Sequence, residues 1–233
     1  MIVITKRLLE WMDMSHDLAK QKVAQKAIER LRDHEVIGIG TGSTVAAMLD
    51  LLPGEYKDKT FVSSSIITSS ALTGHGFEVT PYNPVSQIDI YVDGADFIDR
   101  DFCLIKGGGG ALTQEKILAA GADTFIVIAS EEKFMPILKD VFCPIEVLDV
   151  ARSAVSRALY KMGIQVVLRP DFRTDNGHVI LDLYGLSFAK ALEVEIQLQT
   201  IPGVVECGLF AKQKPNEVIL SNGQDVRCLG TQN

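Results

Sequence analysis

Between Val36 and Ala129 the chain alternates short apolar runs rich in β-branched residues with stretches of helical period, and glycine or hydroxyl residues mark most of the joins. Val36–Ile39, Thr60–Ser63, Phe77–Thr80, Ile88–Val92, Leu104–Lys106 and Thr124–Ala129 read as strands. Helices are expected from Val45, through Ala71-Leu72 and over about Leu112–Ala120. Alternation of this kind predicts an α/β fold, a mostly parallel sheet with helices on both faces, because a parallel neighbour is reached only through a crossover. Upstream, Ser15 or Asp17 offers an N-cap to a helix carrying Leu18, Val23, Ala24, Ile28 and Leu31, with residues 1–13 a tail or a fragment of helix.

Near Pro144 the pattern changes. Ile145–Leu148 reads as a strand, Val150–Met162 as an amphipathic helix and Gln165–Arg169 as a strand. Asp175-Asn176-Gly177 is a hairpin turn, since Asn-Gly tolerates the positive φ angles required, and Val179–Leu183 pairs back. Phe188–Thr200 is a helix and Val204–Cys207 a strand, which completes a βαββαβ order, the split-βαβ arrangement. Glu217–Leu220 and Val226–Leu229, around Asn222-Gly223, form a last hairpin that returns to the first domain. The expected division is therefore residues 1–140, completed by about 210–233, and a smaller α+β domain at 141–209.

Composition excludes several functions. With 233 residues, 47 % apolar and 23 % charged, the chain can bury a real core, so neither intrinsic disorder nor a stapled mini-protein is expected. A formal charge of −7 argues against a nucleic-acid partner. No run of 18 apolar residues occurs and the start, Met1-Ile-Val-Ile-Thr-Lys-Arg, lacks the form of a signal peptide, so no membrane partner and a cytoplasmic location are expected. Cys103, Cys143, Cys207 and Cys228 read as reduced thiols, His16, His34, His75 and His178 are scattered, and no metal site is expected.

Three segments carry chemistry. Gly38-Ile-Gly40-Thr41-Gly42-Ser43-Thr44 lies between a strand and a helix, where backbone N–H groups and three hydroxyls make a ready anion site. A tight β–α turn that simply needs glycine is the equal alternative. No Gly-Lys-Ser/Thr follows, and the third glycine of a dinucleotide fingerprint is misplaced. Asp93-Gly94-Ala95-Asp96 ends a strand at its carboxyl end, where ligands bind in open α/β sheets, although either aspartate could merely cap the next segment; a magnesium site is a second option, but a hard cation usually wants further oxygen ligands. Lys106 precedes Gly107, Gly108, Gly109 and Gly110, which let a ligand approach the backbone, and Glu115 follows in the first turn of a helix, a place the macrodipole favours anyway. A phosphate cradle, three carboxylates and a lysine at strand ends of one sheet together outweigh the separate structural readings. Ser63, Ser64, Ser65 and Thr68 could hydrogen-bond sugar hydroxyls or cap the following helix, with the cap the preferred reading, and Lys133 and Lys20 could supply charge to a phosphate, although a solvated surface position is the ordinary place of a lone lysine.

The blocks GIGTGSTV (38–45), SSSIITSSAL (63–72), YVDGADFID (91–99) and LIKGGGGALTQEKIL (104–118) resemble ribose-5-phosphate isomerases of the A type, and the likeness runs from about residue 14 to the C-terminus. The resemblance implies reversible conversion of D-ribose 5-phosphate to D-ribulose 5-phosphate through a cis-enediol(ate), in the pentose phosphate pathway and without a cofactor. It implies a Rossmann-like domain joined to a ferredoxin-like one, in a homodimer or homotetramer. Carried over residue by residue, the base falls on Glu115, active-site aspartates on Asp93 and Asp96, and the active-site lysine on Lys106. Phosphate contacts fall on Ser43, Thr44, Lys133 and Lys20, while Thr41, Gly42, Gly107, Gly108 and Gly109 shape the loops. The chain departs from the family at Phe97, where an acidic residue is common, at Gly110, a fourth glycine after Lys106, and at Ser130-Glu131-Glu132 before Lys133. Two alternatives remain at this level. One is a sugar-phosphate deaminase or lactonase on a similar fold. The other is a non-catalytic sugar-phosphate-sensing domain, which would have no use for Lys106, Glu115 and Asp93.

Overall fold

The structure, a computed structural model, describes residues 6–230, with side chains from Ser15 onward. Residues 1–5 of the expected tail lie outside the described residues. Helix α1 (Lys6–Leu31) starts well before the expected caps, so neither Ser15 nor Asp17 begins it. The stretch Lys6–Met14 contains no glycine, proline or other breaker, and nothing stops the helix at Ser15. The chain continues through β1 (Val36–Ile39), α2 (Ser43–Leu51), β2 (Thr60–Ser63), α3 (Ile66–Gly74), β3 (Ile88–Asp93), β4 (Phe97–Asp99), β5 (Leu104–Ile105), α4 (Leu112–Ala120) and β6 (Ala122–Ser130). Then come β7 (Phe134–Met135), β8 (Cys143–Val147), α5 (Arg152–Lys161), β9 (Gln165–Leu168), β10 (Val179–Tyr184), α6 (Ala191–Gln199) and β11 (Val204–Cys207). The chain ends with β12 (Leu209–Phe210), β13 (Glu217–Ser221) and β14 (Val226–Gly230).

A six-stranded sheet runs β14-β13-β6-β3-β1-β2. Its strands pair in parallel from β13 to β2, and β14 turns back antiparallel. The expected strand Phe77–Thr80 is not one of its members. It makes a single bridge, Val79 to Phe61, and one backbone bond, Thr80 N–H to Phe61 O at 2.8 Å. Gly76 turns the chain just before it at φ +82°, and Pro81 just after it has no N–H to extend the ladder.

The pleat sorts side chains to two faces. Ile90, Val92, Ile126 and Ile128 pack with Val23, Ala27 and Leu31 of α1, Met48 of α2 and Leu72 of α3. Tyr91, Phe125 and Val127 face the other way, onto Leu118 and Ala119 of α4. Burial on both faces explains why these strands read as unbroken apolar runs. A second sheet, β11-β8-β10-β9, is antiparallel and carries α5 and α6, the expected βαββαβ order. Its core joins Ile145, Val147, Leu181 and Leu183 to Val155, Leu159 and Leu198. A third sheet, β12-β5-β4-β7, has strands of only two or three residues. Among the described residues no helix is long and apolar enough to cross a membrane.

Candidate active site

The carboxyl ends of β1 and β3 in the six-stranded sheet and of β5 in the small third sheet, not of one sheet as expected, feed the three sequence segments into one cleft; Leu104-Ile105 pairs antiparallel with β4 and β12 instead of joining the parallel sheet. Gly40, just after β1, has room only for glycine, because a Cβ there would lie 1.9 Å from Asp93 Oδ1. The Asp93 side chain, fully buried, takes that space. Its Oδ1 accepts the N–H groups of Thr41 at 3.1 Å and Gly94 at 2.7 Å, and its Oδ2 accepts the Tyr91 hydroxyl. Lys106 Nζ lies 2.8 Å from the same Oδ2, donates to Gly94 O at 2.5 Å and stands 3.3 Å from Glu115 Oε2. Tyr91, Asp93, Lys106 and Glu115 thus form a buried row ending on a carboxyl in the first turn of α4.

Glu115 is the unusual member. It is 3 % exposed, and no donor among the described residues is aligned on its Oε2, so its contact with Lys106 is ionic rather than hydrogen bonded. Burial, reinforced by the charges of Asp93 and Asp96 and opposed by Lys106, pushes its carboxyl up to about 8. Burial works against the Lys106 ammonium, but Asp93 and Glu115 more than offset it and hold it above its usual range. A buried carboxyl with a raised pKa, held beside a fixed cation at a cleft, is a candidate general base.

A cleft of about 530 Å³ opens over this row. Thr41, Gly42, Ser43, Thr44, Asp96, Lys106, Gly107, Gly108, Gly109, Glu115 and Lys133 all line it. Helix α2 starts at Ser43 without a side-chain cap, which leaves its first N–H groups, beside the Ser43 and Thr44 hydroxyls, able to receive an anion from the cleft. Asp96 Oδ2 accepts the Gly108 N–H at 2.8 Å. Lys133 donates to Ala95 O at 2.8 Å, and burial, with like charge from Lys106 and Lys20, lowers its ammonium against the pull of Asp96. Lys20 does not line the cleft: its charge is felt at Lys133, but its ammonium lies 3.5 Å from Asp17. Ser65 caps α3 by accepting the Thr68 N–H at 3.1 Å, as expected, and both residues also line the cleft.

The sequence reading missed one wall. Phe172, Arg173, Thr174 and Asp175, from the loop between β9 and β10, close the side facing the glycine loop. The Asp175-Asn176-Gly177 segment does turn there, with Gly177 at φ +83°, but its side chains are also used. Asp175 accepts the Ile66 N–H at 2.8 Å, while Thr174 and Asn176 donate to the buried Glu146, which also accepts the Thr113 hydroxyl. Three polar side chains in one tight turn were the available signal. Glu195, Glu206 and Cys207 are close enough to share a cation, but the Lys116 ammonium already fills that place, at 2.8 Å from Glu195 and 2.9 Å from Glu206.

A profile of ribose 5-phosphate isomerase A (phosphoriboisomerase A) matches residues 60–225. The chain belongs to this family. The ribose 5-phosphate isomerase A of Neisseria gonorrhoeae is 36 % identical over 94 % of this chain and 98 % of that one, with a TM-score of 0.89. The enzyme of Methanocaldococcus jannaschii is 33 % identical, over 92 % of this chain and 99 % of that one, with a TM-score of 0.86. A D-ribose-5-phosphate isomerase in complex with phospho-erythronic acid is 36 % identical over 91 % of this chain and 97 % of that one, with a TM-score of 0.86. Ribose 5-phosphate isomerase A structures therefore share both the parallel sheet and the βαββαβ unit described above.

Proposed function

We propose that the cleft interconverts D-ribose 5-phosphate and D-ribulose 5-phosphate, the isomerisation of this family and a step of the pentose phosphate pathway, with Glu115 as the base. The observation that carries the reading is the Asp93–Lys106–Glu115 row, which ends in a buried carboxyl that lines the cleft beside the Lys106 ammonium. The ionised Glu115 takes the proton from C2 of the open-chain aldose, and the electron pair forms the C1–C2 double bond of a cis-enediolate with its charge on O1. The hydroxyl proton passes from O2 to O1, and Glu115 returns its proton to C1. One carboxylate on one face of a planar intermediate serves both carbon steps, and such base catalysis supplies about 10²–10⁴-fold.

Lys106 and the amides of the glycine loop are the donors for the enediolate oxygens, and Asp96, which holds the Gly108 amide, is placed to relay the hydroxyl proton. The phosphate fits the α2 N-terminus with Ser43 and Thr44, and Lys133 adds charge. Binding energy collected there orients carbons that it does not touch. The solved relative holding phospho-erythronic acid, a four-carbon acid phosphate, supports this pairing of a phosphate end with a planar oxyanion end.

Glu115→Gln removes the base and keeps the shape. The expected result is a loss of turnover of about 10³-fold, with substrate still bound within a few-fold of wild type. Wild-type kcat in that variant would remove Glu115 from the role. We also infer a homodimer or homotetramer in the cytoplasm. The exposed apolar pair Leu192 and Ile196 on α6 favours association, and light scattering reads it.

A further inference from the structure

The fourth glycine and one arginine remain outside the chemistry above. Arg169 follows β9 on the second sheet, and its Nε and Nη2 hold the two oxygens of Asp182 on β10 at 3.1 and 2.6 Å. Its remaining nitrogen, Nη1, donates to the carbonyl oxygens of Gly107 at 3.2 Å and Gly108 at 3.0 Å. A guanidinium carries enough N–H groups in one plane to do both, whereas an ammonium does not. The Phe172 ring lies 5.3 Å from the guanidinium carbon. That ring also fills the space over Gly110, where a Cβ would lie 2.3 Å from Phe172 Cζ. The second sheet therefore grips the glycine loop twice.

Peptide planarity gives this grip a consequence. In a trans peptide the C=O of one residue and the N–H of the next point in opposite directions. Holding the Gly107 carbonyl toward Arg169 turns the Gly108 N–H away from it, and that N–H meets Asp96 in the cleft. Holding the Gly108 carbonyl turns the Gly109 N–H to the same side. Gly109 lines the cleft, and its amide has no acceptor among the described residues. We propose that Arg169, anchored by Asp182, is a positioning residue of the isomerisation: it orients two consecutive peptide dipoles so that their N–H groups face Asp96 and the reacting end of the substrate. This rests on the isomerase reading. The phosphate wall at α2 is a separate element, so the effect belongs to kcat rather than to KM.

The test compares wild type, Arg169→Ala, Arg169→Lys and Asp182→Asn. Arg169→Ala is expected to lose roughly 10–100-fold in kcat with KM within about three-fold, less than a deleted donor costs because the amides remain but are no longer held. Low-millimolar guanidinium should restore part of that loss, and Arg169→Lys should not recover it. Phospho-erythronic acid should bind Arg169→Ala more weakly by about the factor lost in kcat, with inorganic phosphate bound as before. Wild-type kcat in a folded Arg169→Ala overturns the proposal. So does a loss that falls equally on phosphate binding and is not rescued by guanidinium, which marks a merely structural arginine. If Arg169→Ala does not fold, Asp182→Asn decides: a lowered kcat at constant KM supports the role, and unchanged kcat removes it. Absence of turnover in wild type would instead sink the isomerase reading, so the two failures are distinct.

Discussion

Glu115 owes its reactivity to burial more than to residue type. A carboxyl in the first turn of a helix is commonplace, and the helix dipole alone would favour its ionised form. Here burial, then Asp93 and Asp96, push it up to about 8 against the pull of Lys106. The base acts only when deprotonated, so kcat/KM for the free enzyme is expected to rise as pH increases toward about 8 and level off above it. The limb belongs to the interacting Glu115 and Lys106 rather than to one residue. A pH–rate profile measures it, and a limb at the pKa of an ordinary carboxyl would contradict the burial argument. Asp93 and Lys106 stood out in the sequence because charged residues at strand ends contrast with apolar runs, whereas Glu115, in the first turn of α4, was singled out only by its company and by the family resemblance. The Tyr91 hydroxyl bond to Asp93 was not legible, since Tyr91 sits inside one of those runs and reads as core.

At the scale of elements, turns do more than connect. The β1–α2 turn leaves the α2 N–H groups open for an anion, so Thr44→Ala is expected to raise KM several-fold, at ~1 kcal/mol for a lost hydrogen bond, with kcat little changed. Steady-state kinetics checks it, and an unchanged KM would move the phosphate elsewhere. The glycine loop depends on the loop between β9 and β10. Gly110→Ala meets both a left-handed φ of +78° and the Phe172 ring, and should destabilise the protein by more than the ~1–2 kcal/mol of the backbone cost alone. Adding Phe172→Ala should relieve the steric part and leave the backbone part, which a double-mutant cycle in urea unfolding resolves. The sequence showed that four glycines served a purpose but not which neighbour required the fourth, because Phe172 is far away in the chain. The same blindness to distance hid the second use of the Asp175-Asn176-Gly177 turn.

Across the whole molecule, both large units were readable, since unbroken apolar runs in the buried strands and a helical period between them stand in the sequence. The joints between them were not. The sheet β12-β5-β4-β7 is made of strands too short to show a period. Lys116 on α4, next in sequence to Glu115, ties that helix to Glu195 on α6, Glu206 on β11 and the Leu209 carbonyl, all at 2.8–2.9 Å. Lys116→Met would leave two largely buried carboxylates without their cation, and a loss of about 3–5 kcal/mol is expected. Chemical denaturation measures it, and a variant as stable as wild type would show that the ion cluster does not hold the units together. Helix α4 thus carries Glu115 on the cleft side and Lys116 on the side of α6 and β11.

The most direct measurement is the formation of D-ribulose 5-phosphate from D-ribose 5-phosphate by wild type and Glu115→Gln, with binding of the sugar phosphate measured on the same samples. Turnover by wild type, lost by about 10³-fold in the variant while binding persists, is the expected result. A folded wild type that binds the sugar phosphate without converting it, or a variant that turns over at the wild-type rate, would contradict the role of the buried carboxyl.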